Sequence, residues 1–299
     1  MNTIKIGPVK CVVERGRLHR VENETDKKVS FSTASLQTGS EKITSIAPMS
    51  FVGPFEKIIL DDNIQSVGEY AFGGVVVDEV VWSSKCYWIP CGCFASASLK
   101  KISNISSVTE IRSCAFGHSC ISEFSWPSTC NKIPARCFEH SNLSTISGTE
   151  NVIEIQEEAF RETQLKSFRW PSVCKSIPNG CFFGCCIESI ENIEKVLSIG
   201  NAAFSHSSIE NFTWPRLCDT VPAGCFQGSE LKSISGLDNV IHIGHGAFAL
   251  THLQSLNLSA LCIQDIGNGA FAGMDRSSVT FPYYFESTDY DKFFISQEW

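Results

Sequence analysis

The chain has 299 residues, with 24 lysines and arginines against 32 aspartates and glutamates, a net charge of −8 and a pI near 5.4. That acidic balance, with no basic cluster building up along the chain, argues against a nucleic-acid-binding surface. No stretch approaches the ~18 consecutive apolar residues of a membrane span, and the first residues, Met1 to Arg20, carry no apolar h-region of a signal peptide, so the chain reads as soluble.

Residues 1 to 42 lack the periodicity that follows and hold a polar run from Glu22 to Lys28; they are predicted to cap the first coil. A weaker coil with Ile43, Ile46 and Phe51 comes next, then Phe55, Ile58 and Leu60 leading into Ile64 and Val67. From there phenylalanine returns every 22 residues, at Phe72, Phe94, Phe116, Phe138, Phe160, Phe182, Phe204, Phe226 and Phe248, with Phe271 after one step of 23. A unit of that length cannot bury its own apolar face. The predicted fold is therefore a solenoid whose core exists only where coils stack.

Two further apolar bands accompany the phenylalanines. The first, as in Leu165, Phe168 and Trp170 or Ile209, Phe212 and Trp214, has the L-x-x-I/F-x-W/G/N spacing of a short strand whose first, fourth and sixth side chains turn inward. The second supplies one branched residue five positions before each phenylalanine, from Val67 and Ile89 to Val221 and Ile243. A period of 44 residues lies over these bands: Trp82, Trp126, Trp170 and Trp214 alternate with Asn104, Gly148, Asn192 and Gly236. With strands about 4.8 Å apart, consecutive indoles would compete for one volume, so each ring is expected beside a small residue. Pro127, Pro171 and Pro215, with Pro90, Pro134, Pro178 and Pro222, mark corners, because proline has no amide hydrogen for a ladder.

The fifteen cysteines follow the repeat as well. Cys86, Cys130, Cys174, Cys218 and Cys262 share a column with valines, and Cys93, Cys137, Cys181 and Cys225 share one with alanines, which makes these positions small buried apolar sites. Cysteines of one column lie two coils apart, roughly 9.5 Å, whereas a disulfide needs Cα atoms about 4.4–6.8 Å apart. Of the other six (Cys11, Cys91, Cys114, Cys120, Cys185 and Cys186), the Cys185–Cys186 neighbourhood is expected to hold the reactive thiols. At the end of the chain, Val279 to Pro282 read as a last strand, and the aromatic segment Tyr283 to Trp299 is expected to fold over the open coil.

The run Ile155 to Phe160, then Leu165, Phe168, Trp170, Pro171, Ile177, Pro178, Cys181 and Phe182, resembles the BspA-like leucine-rich repeats. So do the paired motifs Ile199-Gly200 with Ala203-Phe204 and Val221-Pro222 with Cys225-Phe226. The tryptophan-proline and Cys-Phe elaborations look most like the trichomonad BspA-like surface antigens. The resemblance covers residues 43 to 282, between a cap of residues 1 to 42 and a cap of residues 283 to 299. It implies a right-handed, gently curved solenoid of about ten to eleven coils with short parallel strands and little helix. It also implies a non-enzymatic surface antigen or adhesin-like protein without a cofactor, binding host, matrix or microbial ligands at the cell surface or after secretion. An intracellular scaffold for cytosolic partners is the alternative, favoured by the thiol-rich core and the missing leader.

Solvent-facing strand positions form two columns rich in serine and threonine. Lys101, Glu123, Arg169, Glu191, Asn211 and Thr213 give that face its distinguishing groups and are the expected contacts for a protein or glycan. Serine and threonine also simply suit a crowded strand surface. His118 and His140 fall in one loop column on adjacent coils, but two imidazoles without a third ligand read as a solvated turn rather than a metal site. No nucleophile-histidine-acid set, phosphate loop or zinc spacing stands out, and no metal is expected. Sequons begin at Asn23, Asn104, Asn142, Asn211 and Asn257. The chain is expected to be a monomer, or to associate weakly end to end.

Overall fold

The computed structural model describes residues 1–36, 42–285 and 290–295. The chain divides into two compact units, Met1–Asn151 and Val152–Trp299. Each is a β-solenoid, with parallel strands between its coils and little helix.

Unit 1 opens with an antiparallel meander of β1 (Asn2–Ile6), β2 (Val9–Glu14) and β3 (Arg17–Asn23). Alternation makes it a strand pattern, since Val9, Cys11 and Val13 are buried between solvated neighbours. Arg15 and Gly16, both at positive φ, form the tight turn between β2 and β3. β3 then pairs in parallel with Ser45–Ile46 and Phe51–Val52. β4 (Val29–Ser32) lies within the segment expected to be a cap, yet it already pairs in parallel with Pro54–Ile59, and Phe31 is buried. Val76–Val81 and Ser98–Ser103 extend that sheet to four strands. Part of the capping segment, residues 37–41, lies outside the described residues.

The phenylalanine column is the spine of both units. In unit 1 the rings of Phe51, Phe72, Phe94, Phe116 and Phe138 stack, from 4.4 Å between the first two to 5.4 Å between the last. In unit 2 those of Phe160, Phe182, Phe204, Phe226, Phe248 and Phe271 stack at 5.6–6.0 Å. The branched column sits opposite, on two-residue strands such as Ser176–Ile177 paired with Ser198–Ile199.

On the phenylalanine side the backbone makes a ladder that is not a sheet. Residues two before and two after each phenylalanine are left-handed: Glu158, Gly180, Ala202, Gly224, Gly246 and Gly269 on one side, Glu162, Gly184, His206, Gly228, Leu250 and Gly273 on the other. That alternation points successive amides the same way. Thus Ala202, Phe204 and His206 donate to the carbonyls of Ala223, Cys225 and Gln227 on the next coil at 2.8–2.9 Å. Left-handed geometry costs an ordinary residue about 1–2 kcal/mol, and three inter-coil hydrogen bonds per coil offset it.

A pairing rule with a period of two coils governs the first strand band. In unit 2, Ser167–Arg169 pairs with Ser189–Glu191 and Asn211–Thr213 pairs with Ser233–Ser235, but among the described residues no ladder joins Ser189–Glu191 to Asn211–Thr213. In unit 1 Glu123–Ser125 likewise pairs with Thr145–Ser147 and not with Ser98–Ser103, whereas nearer the start of the chain Val29–Ser32, Pro54–Ile59, Val76–Val81 and Ser98–Ser103 pair without a break. The tryptophan-asparagine-glycine column supplies the cause. Asn192 is left-handed and its Nδ2 donates to the Trp170 carbonyl at 2.6 Å, as Asn104 does to Trp82 at 2.7 Å. At Gly236 and Gly148 the backbone comes so close to the preceding tryptophan carbonyl that a Cβ would lie 2.8 and 2.6 Å from its oxygen. Small residues here thus serve a close, left-handed backbone approach more than the volume of the neighbouring ring. Each buried indole is fixed from within its own coil, its Nε1 donating to the Cys86, Cys130, Cys174 or Cys218 carbonyl at 2.9–3.0 Å.

At the end of unit 2, helix α1 (Tyr290–Phe294) takes the place of a further coil. Gly269 and Phe271 donate to the Lys292 and Phe293 carbonyls at 2.8 and 2.9 Å, Phe293 is buried, and Tyr290 stacks on Phe281 at 4.3 Å. The rest of the aromatic segment expected to cover this end, residues 286–289 and 296–299, lies outside the described residues.

Candidate ligand-binding site

Where the ladder lapses, the strand face opens. Unit 2 has a groove of about 590 Å³ between Ser189–Glu191 and Asn211–Thr213, floored by Ile190 and Phe212 and rimmed by Glu191, Glu194, Asn211, Thr213 and Arg216. Unit 1 has a niche of about 380 Å³ at the equivalent place in the repeat, floored by Ile102, Ile105 and Phe124 and rimmed by Lys100, Lys101, Glu123 and Ser125. The floor dips because strand centres alternate between phenylalanine and isoleucine: Phe168 and Phe212 are buried, whereas Ile190 and Ile234 remain half-exposed. That alternation stands in the sequence and is the signal that would have found the grooves.

Of the six expected contact residues, Glu191, Asn211 and Thr213 line the unit 2 groove, and Lys101 and Glu123 line the unit 1 niche. Arg169 does not line the unit 2 groove but grips its rim, its Nη1 2.9 Å from Glu191 Oε2. Both side chains are exposed, so this ion pair contributes at most about 1 kcal/mol. Asn211 Oδ1 accepts from the Ser233 hydroxyl at 2.6 Å, and Thr213 and Ser235 share a hydrogen bond at 3.3 Å. Lys101 stands in register with Glu79, whose carboxyl is held below the usual range by the Lys57 ammonium and the Ser103 hydroxyl.

Elsewhere the chemistry is structural. All fifteen cysteines are free thiols. Eight of the nine column cysteines are buried, and burial pushes Cys86, Cys130 and Cys218 up to about 11. Cys262 departs from its column: at the end of the array its site is exposed. Cys185 also overturns the expectation of reactivity, since it is buried, pushed up to about 11 by desolvation, and fills a column of hydroxyl residues beside Thr163 at 3.2 Å. Cys186, the other half of the expected pair, is half-buried with its Sγ 3.4 Å from Gln164 Oε1, Cys91 and Cys114 are half-buried too, and the exposed thiols are Cys120 and Cys262. His118 and His140 stack face to face at 4.6 Å on left-handed turns, and among the described residues no group of three or more metal-binding side chains converges. Two sequon asparagines have their side-chain nitrogen engaged: Asn23 is buried and donates to the Lys27 and Pro54 carbonyls, and Asn104 donates to the Trp82 carbonyl. No described helix is long and apolar enough to cross a membrane.

Stacked coils with an inward phenylalanine spine and a patterned strand face define a leucine-rich-repeat interaction module. The chain belongs to the family of BspA-type leucine-rich repeat regions, whose model matches residues 27–144, 76–188 and 153–278. Among solved structures, a leucine-rich cell surface protein of Faecalibacterium prausnitzii is similar at 14% identity and a TM-score of 0.50, over 100% of this chain and 99% of that one. A leucine-rich repeat protein of Bacteroides ovatus is similar at 19% identity and a TM-score of 0.54, over 94% and 88%. The pneumococcal vaccine antigen PcpA is similar at 15% identity and a TM-score of 0.49, over 91% and 79%. No curated protein matches the chain.

Proposed function

We propose that the chain is a non-enzymatic surface antigen or adhesin-like protein that binds protein or glycan ligands on hosts, matrix or other microbes through its strand face. The observation that carries this reading is the pair of open grooves at one repeat position, one in each unit, rimmed by Lys101 and Glu123 in the first and by Glu191, Asn211 and Thr213 in the second. The cell surface protein named among the similar structures supports the location. Two tests bear on it. Antibody should label intact, unpermeabilised cells that express the protein, and purified protein should bind matrix proteins or host cells in a manner weakened by Arg169→Glu with Glu191→Lys. Labelling only after permeabilisation, together with cytosolic partners in crosslinking, would replace this reading by an intracellular scaffold, which the free thiols of the core favour.

A further inference from the structure

The unit 2 groove has a chemistry more specific than a general interaction face. Its two banks are strand edges that have lost their ladder. Ser189 donates its amide to Lys166, and the Glu191 carbonyl accepts from Trp170, so those groups point away from the groove. Parallel strands alternate direction, and the N–H and C=O of Ile190 consequently point into it. On the opposite bank the Glu210 carbonyl and the Trp214 amide are taken by Ser233 and Ser235, which aims the N–H and C=O of Asn211 and Thr213 at the same space. No hydrogen bond between backbones crosses from one bank to the other among the described residues. Between the banks the floor is aliphatic, with Ile190 half-exposed. Phe212 is 5% and Trp214 2% exposed, so neither presents the open aromatic face over which a sugar ring would lie. Charges that line the groove are the carboxylates Glu191 and Glu194 and the guanidinium of Arg216, with Glu191 also paired to Arg169 on the rim at 2.9 Å.

We propose that this groove receives a short extended segment of a protein partner, with one aliphatic side chain on Ile190 and an adjacent lysine or arginine facing Glu194. Backbone groups of one bank bond the peptide's own amides, the mode by which a strand edge captures a peptide, while the aliphatic anchor supplies the apolar burial. Glu194 selects the basic neighbour, since Glu191 is already held by Arg169 at 2.9 Å. This proposal rests on the reading of the strand face as a binding surface and narrows its ligand from protein or glycan to peptide.

The probe is the capped hexapeptide Gly-Ser-Leu-Lys-Ser-Gly, titrated into the full chain carrying ¹³C-labelled isoleucine δ1 methyls and followed by NMR. The Ile190 methyl should shift with a dissociation constant in the millimolar range. Replacing the probe's leucine by alanine should weaken binding about tenfold, the worth of roughly two to three buried methylene groups reduced by partial exposure. Replacing its lysine by glutamate should weaken it severalfold, and Glu194→Gln in the protein should shrink that difference. Ile190→Trp, which fills the slot at a half-exposed position, should abolish the shift at the neighbouring Ile193 methyl. An Ile190 methyl unmoved at about 10 mM probe, equal shifts from the leucine and alanine probes, or a shift from chitotriose and not from peptide would each overturn the proposal. Cell or matrix binding retained by Ile190→Trp would sink the groove alone, whereas no cell or matrix binding by the wild-type chain would sink the broader reading.

Discussion

Gly236→Ala places a single methyl group where the Trp214 carbonyl oxygen already stands 2.8 Å away, at a backbone φ of +78°. Alanine meets the left-handed penalty of about 1–2 kcal/mol and must also push the two coils apart to relieve the overlap. Together these should destabilise unit 2 by roughly 2–3 kcal/mol, a fall in melting temperature of roughly 5–10 °C for a body of this size. Asparagine at the same position is the diagnostic companion. It also carries a Cβ, but Asn192 and Asn104 show that it can donate Nδ2 to the tryptophan carbonyl at 2.6–2.7 Å. Gly236→Asn should therefore recover about 1 kcal/mol relative to alanine. Circular dichroism melts of the three proteins measure the ranking, and amide exchange at Trp214, which donates to Ser235, reports whether the loss is local. If alanine proved as stable as glycine, or asparagine no better than alanine, the close approach would not be what zips these coils in pairs.

Cys174→Val should be nearly neutral, because Val152 and Val196 are buried in the same column of unit 2, whereas Cys174→Asp should disrupt the array; similar melting temperatures for the two would refute the column assignment. The buried Ser229 hydroxyl donates to the Phe226 carbonyl at 2.7 Å while the buried Ser207 hydroxyl has no partner, so Ser229→Ala should cost about 1 kcal/mol and Ser207→Ala should be neutral or stabilising in urea titration. Phe226→Ala should cost roughly 3–5 kcal/mol, with amide protection lost mainly in the coils beside it. Burial holds the folded pKa of Cys86, Cys130, Cys185 and Cys218 near 11 and that of Cys11 near 12, above the ordinary 9.0. The unfolded chain therefore loses these protons first, and stability that is full below pH 9 should fall as pH rises towards the folded values, by up to about 1.4 kcal/mol per unit for each thiol. An urea midpoint constant from pH 8 to pH 10.5 would contradict the burial, as would rapid alkylation of Cys185 ahead of Cys120 and Cys262 at pH 8.

The buried columns were legible because each is filled by one side-chain class at a fixed spacing. Phe204, Ile199, Cys181 and Val196 could be placed inward from periodicity alone, and all are buried. The left-handed ladder was not legible, because its positions hold Glu158, Ala202, His206 and Leu250 as readily as glycine. Nothing in the glutamate, alanine or leucine side chains favours positive φ; what selects it there is the inter-coil hydrogen bond each backbone amide makes, a property of stacking rather than of residue type. Cys262 and Cys185 went wrong for a related reason, since a column predicts burial only where a neighbouring coil covers it and only when the column is assigned to the right side of the coil.

The grooves lie between these cases and show why an array with a period of two coils can bind where one with a period of one would be smooth. A tryptophan coil and the asparagine or glycine coil after it are drawn together by the approach to the tryptophan carbonyl, as in Trp170 with Asn192 and Trp214 with Gly236. The other edge of the asparagine coil faces the next tryptophan coil without a ladder among the described residues, as at Ser189–Glu191 in unit 2 and Ser98–Ser103 in unit 1. At that unzipped junction the shorter isoleucine lowers the floor, and backbone groups that would have satisfied one another are left to solvent or to a ligand. Ser189–Glu191 thus closes one junction with Ser167–Arg169 and forms a bank of the open one beside it. On this logic Asn192→Ala, which weakens the Trp170 junction, should loosen the unit 2 groove without touching its floor, lowering the affinity of the leucine-lysine peptide more than Ser189→Ala does; equal effects would mean that the groove's shape owes nothing to the pairing beside it.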